Sequence, residues 1–410
     1  MRAFIPAFEK QRVLTKTVNT QLFQGKFNPS SGDYVDIKRP HQYIAVRTAG
    51  GDISSAYVNS IISGKATAQV QNYITVAIDW TNKEEALSLD QLQEILMPAA
   101  ETCTIELETS FCDFMYQRAA LLSGTVGTAI DAWADVANPM SFMKAIGVPD
   151  GEHTMVVNPF TIQNLASAQT GLSADPSRLV QTAWEKAQIA SPFAGLRVLS
   201  SNSLSSYTSM VGADRAGAIA SDPTVTYLAH KDTMIQSIAV TGFQASATVK
   251  AGDMIEIEGR YYVHRRTKKL VLDASGNPIT FKATVTADAV LDGSGAGTLL
   301  VSGPAIYEAN GQYNTVDSAP VTNDVVNILG STGATLQPNL FYHKEAFAIA
   351  FVKIPKLYSQ DTVAVTEDGI SIRCTKYSDG DANTQKIRFD LLPAFACLEP
   401  NFAGKAWGLT

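Results

Sequence analysis

The stretch NLFYHKEAFAIAFVKIPKL, residues 339 to 357, places His343, Lys344 and Glu345 ahead of a long apolar run. Its reading separates an enzyme from a scaffold. A zinc helix of the HExxH type needs a second histidine one turn after the first, and Phe347 stands in that position. His343 is therefore no zinc ligand by spacing.

Other candidate chemistry fails in similar ways. His41, His153, His230, His264 and His343 lie far apart in the chain, so scattered polar placement is the expectation. DGSGAGT, residues 292 to 298, lies between apparent strands, whereas a phosphate cradle needs a helix start and usually a lysine. It reads as a hairpin turn, and Ser294 misses the spacing of a GxSxG elbow. Glu84 and Glu85 sit just before a helix, where acidic residues suit the macrodipole. Cys103, Cys112, Cys374 and Cys397 form no CxxC pair and have no histidine at zinc spacing, which predicts free thiols in a reducing compartment. These residues predict no catalytic site, no cofactor and no metal.

Composition agrees with a large folded protein. The 410 residues are 45% hydrophobic, enough for a sizeable core and, at roughly 100 to 200 residues per domain, for two or three domains. With 32 basic and 39 acidic residues the formal charge is -7, so no basic field for strong nucleic-acid binding covers the whole surface. One basic run stands out, His264, Arg265, Arg266, Lys268 and Lys269, which suits a solvated loop or contact with an acidic partner. No apolar stretch of about 18 residues occurs, and MRAFIPAFEKQRVL lacks the features of an export signal. The expectation is a chain neither secreted nor membrane-spanning.

Periodicity divides the chain. Residues 32 to 48 and 68 to 80 alternate, with Ile74, Val76, Ile78 and Trp80 on one face, and predict two arms of a long hairpin. Its tip, AGGDISSAYVNSIISGKAT, is glycine-rich and suits a projecting loop. From Leu89 to Leu122, apolar residues recur at steps of three and four, predicting one long helix that Pro98 kinks or interrupts. Residues 131 to 215 read as mixed α/β, with helices opened at Asn138-Pro139 and Asn158-Pro159 and another around Trp184. Between 224 and 338 short strands and turns predict an all-β barrel or sandwich. The last stretch returns to longer strands.

This order of elements, and several phrases within it, resemble the major capsid proteins of tailed bacteriophages, in the branch typified by the coat protein of lambdoid short-tailed phages. The resemblance spans nearly the whole chain. It rests on LMPAAETCTIELETSFCDFM, SFMKAIGVPDGEHTMVVNPFTIQNL, AWEKAQIASPFAGLRVLSSNSL, IEGRYYVHRRTKK and TVTADAVLDGSGAGTLLVSGPAI, with NLFYHKEAFAIAFVKIP the most telling. It implies an α+β capsid fold carrying an inserted β-barrel, and a structural protein, not an enzyme, that self-assembles into an icosahedral shell around double-stranded DNA. A β-rich surface adhesin is the alternative, and it requires an export signal.

The resemblance also implies an organisation. Residues 1 to 31 become an amino-terminal arm, 32 to 80 an extended loop overlapping a neighbour, and 81 to 130 a peripheral domain with its spine helix at 89 to 122. Residues 131 to 222 become an axial domain, 224 to 338 the inserted barrel, and 339 to 410 returning strands. One feature of the branch, a charged loop early in the insert, has no clear counterpart in YLAHKDTMIQSIAVTGF. Implied partners are further copies in hexamers and pentamers, a scaffolding protein, a portal protein and packaged DNA held without sequence preference, with no membrane. The implied location is the virion capsid, assembled in the host cytoplasm. Inter-subunit contact candidates are Gly50, Gly51 and Gly64, which would bend the loop, with Lys65, Arg265, Arg266, Lys268 and Lys269; no crosslink through Lys65 is expected.

Overall fold

The helix Leu92–Arg118 follows directly from its sequence, because Leu96, Ala99, Cys103, Leu107 and Phe111 recur on one face and all are buried. It belongs to a computed structural model describing residues 4–19, 34–48, 50–54, 59–81, 92–170, 192–352, 354–356, 362–365, 369–379, 381 and 384–409. The helix ends at Arg118, before the expected Leu122, and residues 89 to 91 lie outside the described residues. Leu121 and Leu122 prolong the apolar pattern but form the strand Leu121–Ser123, parallel to Ala403–Ala406. Pro98 does not interrupt the helix; it lies on the exposed face, where water can replace the missing amide. Among the described residues no helix is long and apolar enough to cross a membrane.

The chain forms two units. The first comprises segments 1–36, 67–114 and 347–397; the second comprises 37–66, 115–346 and 398–410. The first contains an antiparallel sheet in the order Thr362–Val365, Ser371–Asp379, Thr384–Leu391, Ile74–Thr81. It also holds the pairing of Pro393–Cys397 with Phe347–Phe351 on one side and with Gln69 and Val70 on the other. Phe395 packs 5.0 Å from Phe111 and 5.6 Å from Phe114 between ring centroids, which seats this pairing on the long helix. The expected hairpin is thus divided, since Lys65–Val70 and Ile74–Thr81 join different sheets.

Of the expected arm, residues 4 to 19 are described and pack within this unit, while 20 to 31 lie outside the described residues. Phe4, Phe8, Leu14 and Val18 are buried, and Phe4 stacks on Phe389 at 4.2 Å. The anchor is Glu108, buried in the apolar stripe of the long helix, which accepts bonds from the Leu14 amide at 2.6 Å, the Thr15 amide at 3.1 Å and Thr15 Oγ1 at 2.5 Å. Burial pushes its carboxyl pKa up while these three donors pull it down. Glu108→Ala should leave three buried donors unpaired, at about 1 to 3 kcal/mol each, and lower the unfolding temperature sharply. Glu108→Gln, which keeps one carbonyl acceptor, should lose less. Equal melting of the two variants in calorimetry would contradict this account of the anchor.

The second unit holds a five-stranded sheet in the order Leu121–Ser123, Ala403–Ala406, Asn339–His343, His153–Val157, Arg197–Ser200. Asn339–His343 and His153–Val157 are buried at every residue, as internal strands covered on both faces should be. The helix Pro159–Thr170 starts where Asn158-Pro159 predicts, with Asn158 Oδ1 accepting from the Phe160 amide at 2.9 Å. The preceding helix does not start at Asn138-Pro139. It spans Trp133–Ile146, with Pro139 inside it. Buried Asp135 ties its start by accepting from the amides of Asp131 and Ala132, while Asn138 instead donates to Ser123 Oγ at 2.9 Å. The helix expected around Trp184 lies outside the described residues.

A closed six-stranded barrel completes this unit, in the cyclic order Met254–Tyr261, Thr280–Val285, Gly297–Ser302, Ile235–Thr241, Ala216–Ile219, Val325–Ile328. Every neighbouring pair is antiparallel. Alternation fills the interior: Leu299 and Val301 point in, as do Ile238 and Val240, whereas Leu300 is exposed. The expected start at 224 leaves out Ala216–Ile219, a strand that the closure requires.

Lys405 lies where the barrel meets the sheet. It is fully buried, donates to the Gly252 carbonyl at 2.6 Å and faces the rings of Tyr116 and Tyr207 at 5.8 and 5.7 Å. Burial pushes its pKa down to about 7, partly opposed by Asp253.

Candidate functional site

The quoted stretch resolves into two strands joined by a turn. Asn339–His343 belongs to the five-stranded sheet, and Phe347–Phe351 pairs with Pro393–Cys397. His343 ends the first strand, and Lys344, Glu345 and Ala346 are the connection. The Ala346 amide donates to the His343 carbonyl at 2.9 Å, and the Glu345 amide donates to His343 Nδ1 at 3.2 Å.

Folding also unites two histidines that the sequence reading leaves scattered. His153 and His343 are cross-strand partners, with ring centroids 5.0 Å apart, and the Phe402 ring lies nearly perpendicular to that of His343 at 5.7 Å between centroids. His153 Nδ1 donates to the Gly151 carbonyl at 2.9 Å. Both pKa values fall, mainly through burial. His153 lowers His343 further against Glu345 and Glu152, while Lys144 lowers His153 against Gly151 and Asp150. As pH falls the unfolded chain therefore takes up these protons first, and acid favours unfolding. Between about pH 7 and pH 5 the unfolding temperature should drop, and His343→Gln should flatten that slope. Parallel slopes for the two proteins would remove the pair from the pH response.

The contact candidates fall into two groups. At the root of the loop, Arg39 is buried and gathers three segments: Nε donates to the Lys65 carbonyl at 3.2 Å, Nη2 to the Asp232 carbonyl at 3.1 Å, and Nη1 to the Leu398 carbonyl. Its amide donates to the Gly64 carbonyl at 2.9 Å. Gly64 is therefore no free hinge. A methyl group there would meet the Lys231 carbonyl oxygen at 2.5 Å and Tyr227 Oη at 2.9 Å, so glycine permits close packing. Lys65 is exposed, and its amide donates to Asp232 Oδ1 at 3.2 Å. Gly50 and Gly51 stand in open space, with Gly51 at φ +76°.

Further along, Asn59 bonds both backbone groups of Ile44, and Gln312 bonds both backbone groups of Ser60. The Tyr313 and Tyr227 rings stack at 3.6 Å beside this segment. Arg39, Asn59 and Gln312 are the residues that sequence reasoning misses. Each acts on distant backbone groups, and a single polar side chain carries no local sign of that.

The basic run is also divided. Arg265 points inward, pairs with buried Glu399 at 3.3 Å and lies 4.5 Å from the Phe402 ring, so it is withdrawn as a contact candidate. Lys268 is half-buried and donates to the Asn314 carbonyl at 3.1 Å; burial, helped by Arg265, pushes its pKa down to about 7. Arg266 and Lys269 are exposed.

The geometry describes a chain shaped by packing: a tethered loop, a long helix and an inserted barrel. The family model described as "P22 coat protein - gene protein 5" matches residues 1–408. A major capsid protein of Acyrthosiphon pisum secondary endosymbiont phage 1 is 42% identical over 411 residues, covering 100% of this chain and 96% of that protein. Among solved structures, one from Mycobacterium phage Che8 covers 96% of this chain and 90% of its own at 11% identity and a TM-score of 0.47. The capsid structure of cyanophage P-SCSP1u covers 92% and 84% at 9% identity and a TM-score of 0.42. The family model and the 42% identical relative give the adhesin alternative no support. The chain belongs to the P22 coat protein family and is a phage major capsid protein, a structural subunit of the shell.

Proposed function

We propose that the chain builds hexamers and pentamers of an icosahedral shell in the host cytoplasm, with a scaffolding protein, a portal protein and packaged double-stranded DNA as its partners. The observation that carries this reading is the 42% identity to a major capsid protein across the full length. Several contacts per subunit, each burying on the order of 1,000 Å², give collective stability while each stays weak enough to correct. The formal charge of -7 suits a lining over which condensed DNA slides.

Within this reading the loop overlaps a neighbour, the helix Leu92–Arg118 is the spine, residues 131 to about 206 are axial, and the barrel is the inserted domain. The loop tip at Gly50 and Gly51 changes pose between non-equivalent positions, whereas residues 4 to 18 keep theirs because Phe4, Phe8, Leu14 and Val18 anchor them in the core. The test is electron microscopy of the chain expressed with and without its neighbouring genes. Uniform closed shells whose subunits differ at the tip support the reading. Open aggregates in both preparations, or tips superposing as closely as the spine helices, count against it.

A further inference from the structure

A cleft of about 610 Å³ opens between the loop and the barrel. Arg47 lines it from the loop, and Arg266, Lys268 and Lys269 line it from the basic run. Ile44, Val263 and Val316 give it apolar walls. The acidic residue of the lining, Asp317, already accepts the Tyr261 amide at 2.9 Å.

Among the described residues no ion pair joins Arg47, Arg266 or Lys269 to a carboxylate. All three side chains are exposed. Lys268 stands apart, because its ammonium is held by the Asn314 carbonyl and is half-buried. A concentration of unpaired cations is unexpected on a chain with a surplus of seven negative charges. Like charges gathered without counter-charge repel one another, and an acidic ligand would relieve that repulsion.

We propose that this cleft receives an acidic, partly apolar segment of a second copy of the chain. The inference rests on the shell-building function, which brings copies together at high local concentration and supplies the complementary charge. Apolar walls beside the cations suit a polypeptide, whose carboxylates alternate with hydrocarbon, better than a phosphodiester backbone. Charge pairing of this kind sets register and association rate more than affinity, so salt should slow assembly.

The test uses the full chain, assembled with its partners from equal parts of light and nitrogen-15-labelled protein. A zero-length carbodiimide then joins amines to carboxylates in direct contact. Mass spectrometry should find Lys269 in amides that link a light chain to a heavy one. Arg266→Glu with Lys269→Glu should melt as the parent does, since both side chains are exposed, yet assemble at least tenfold more slowly. Arg266→Gln with Lys269→Gln should fall between the two.

Intact shells without mixed-isotope amides at Lys269, or a charge-reversed variant that assembles at the parent's rate, would overturn the proposal and leave the shell function standing. Normal shells that bind less DNA after the reversal would also overturn it, and would assign the cleft to nucleic acid. A parent chain that never forms shells would remove the shell-building reading, and the cleft's role with it.

Discussion

Truncation after Asp379 yields aggregated protein and no assembly-competent subunit. The deleted residues contain three strands, and each is internal to its sheet. Thr384–Leu391 lies between Ser371–Asp379 and Ile74–Thr81. Pro393–Cys397 has Phe347–Phe351 on one side and Gln69 and Val70 on the other. Ala403–Ala406 lies between Leu121–Ser123 and Asn339–His343. Losing an internal strand leaves two unpaired edges, which invite pairing with other chains.

The side chains lost are equally central. Phe389, Leu391, Phe395, Leu398 and Phe402 are all buried, and each contributes about 1.5 to 3 kcal/mol when buried. Domain stabilities of roughly 5 to 15 kcal/mol cannot absorb losing all five. Lys65→Ala is the matched control. Its backbone bonds to Asp232 and Arg39 survive the substitution, so particles should form normally. Soluble truncated protein that enters shells would show these strands to be dispensable.

Local patterns were legible where one element satisfies itself. The spine helix reads from its apolar stripe, and Ile74–Thr81 reads from alternation, with Ile74 buried and Thr75, Ala77 and Asp79 exposed. Errors arise where a distant partner decides. Leu121 and Leu122 continue the helical pattern, yet a parallel strand nearly 300 residues onward turns them into sheet. The split of the loop's second arm depends likewise on Phe395 and Leu391, the partners of Gln69 and Ile74.

Polar groups in the core were the hardest to read, though not all were silent. Glu108 falls one residue after Leu107 and one turn before Phe111 and Cys112, so it shares the buried side of the helix. An acid at such a position demands donors, and that demand could have revealed the anchored amino-terminal residues. Arg265 offered no such signal. Its neighbours Arg266 and Lys269 are solvated, and only the fold separates them from the one arginine that finds Glu399.

The barrel should fold alone when cut at 206 and 338, and should fail when cut at 224 and 338. The longer fragment keeps Tyr207–Thr208 paired with Thr335–Leu336, which brings its ends together. It also keeps Ser209 and Met210, whose hydroxyl and amide satisfy buried Asp253 at 2.6 and 3.0 Å. The shorter fragment loses these donors along with Ala216–Ile219. Ile235–Thr241 then loses the pairing of Thr241 and Val240, and Val325–Ile328 loses that of Val325, Val326 and Asn327. Two edges open in a barrel that otherwise has none, and the site of fully buried Ile219 fills with water. Proton spectra should be dispersed for the 206 fragment and collapsed for the 224 fragment. A dispersed spectrum from the shorter piece would mean that five strands suffice, and that Ala216–Ile219 is a tether to the sheet and no part of the barrel's own stability.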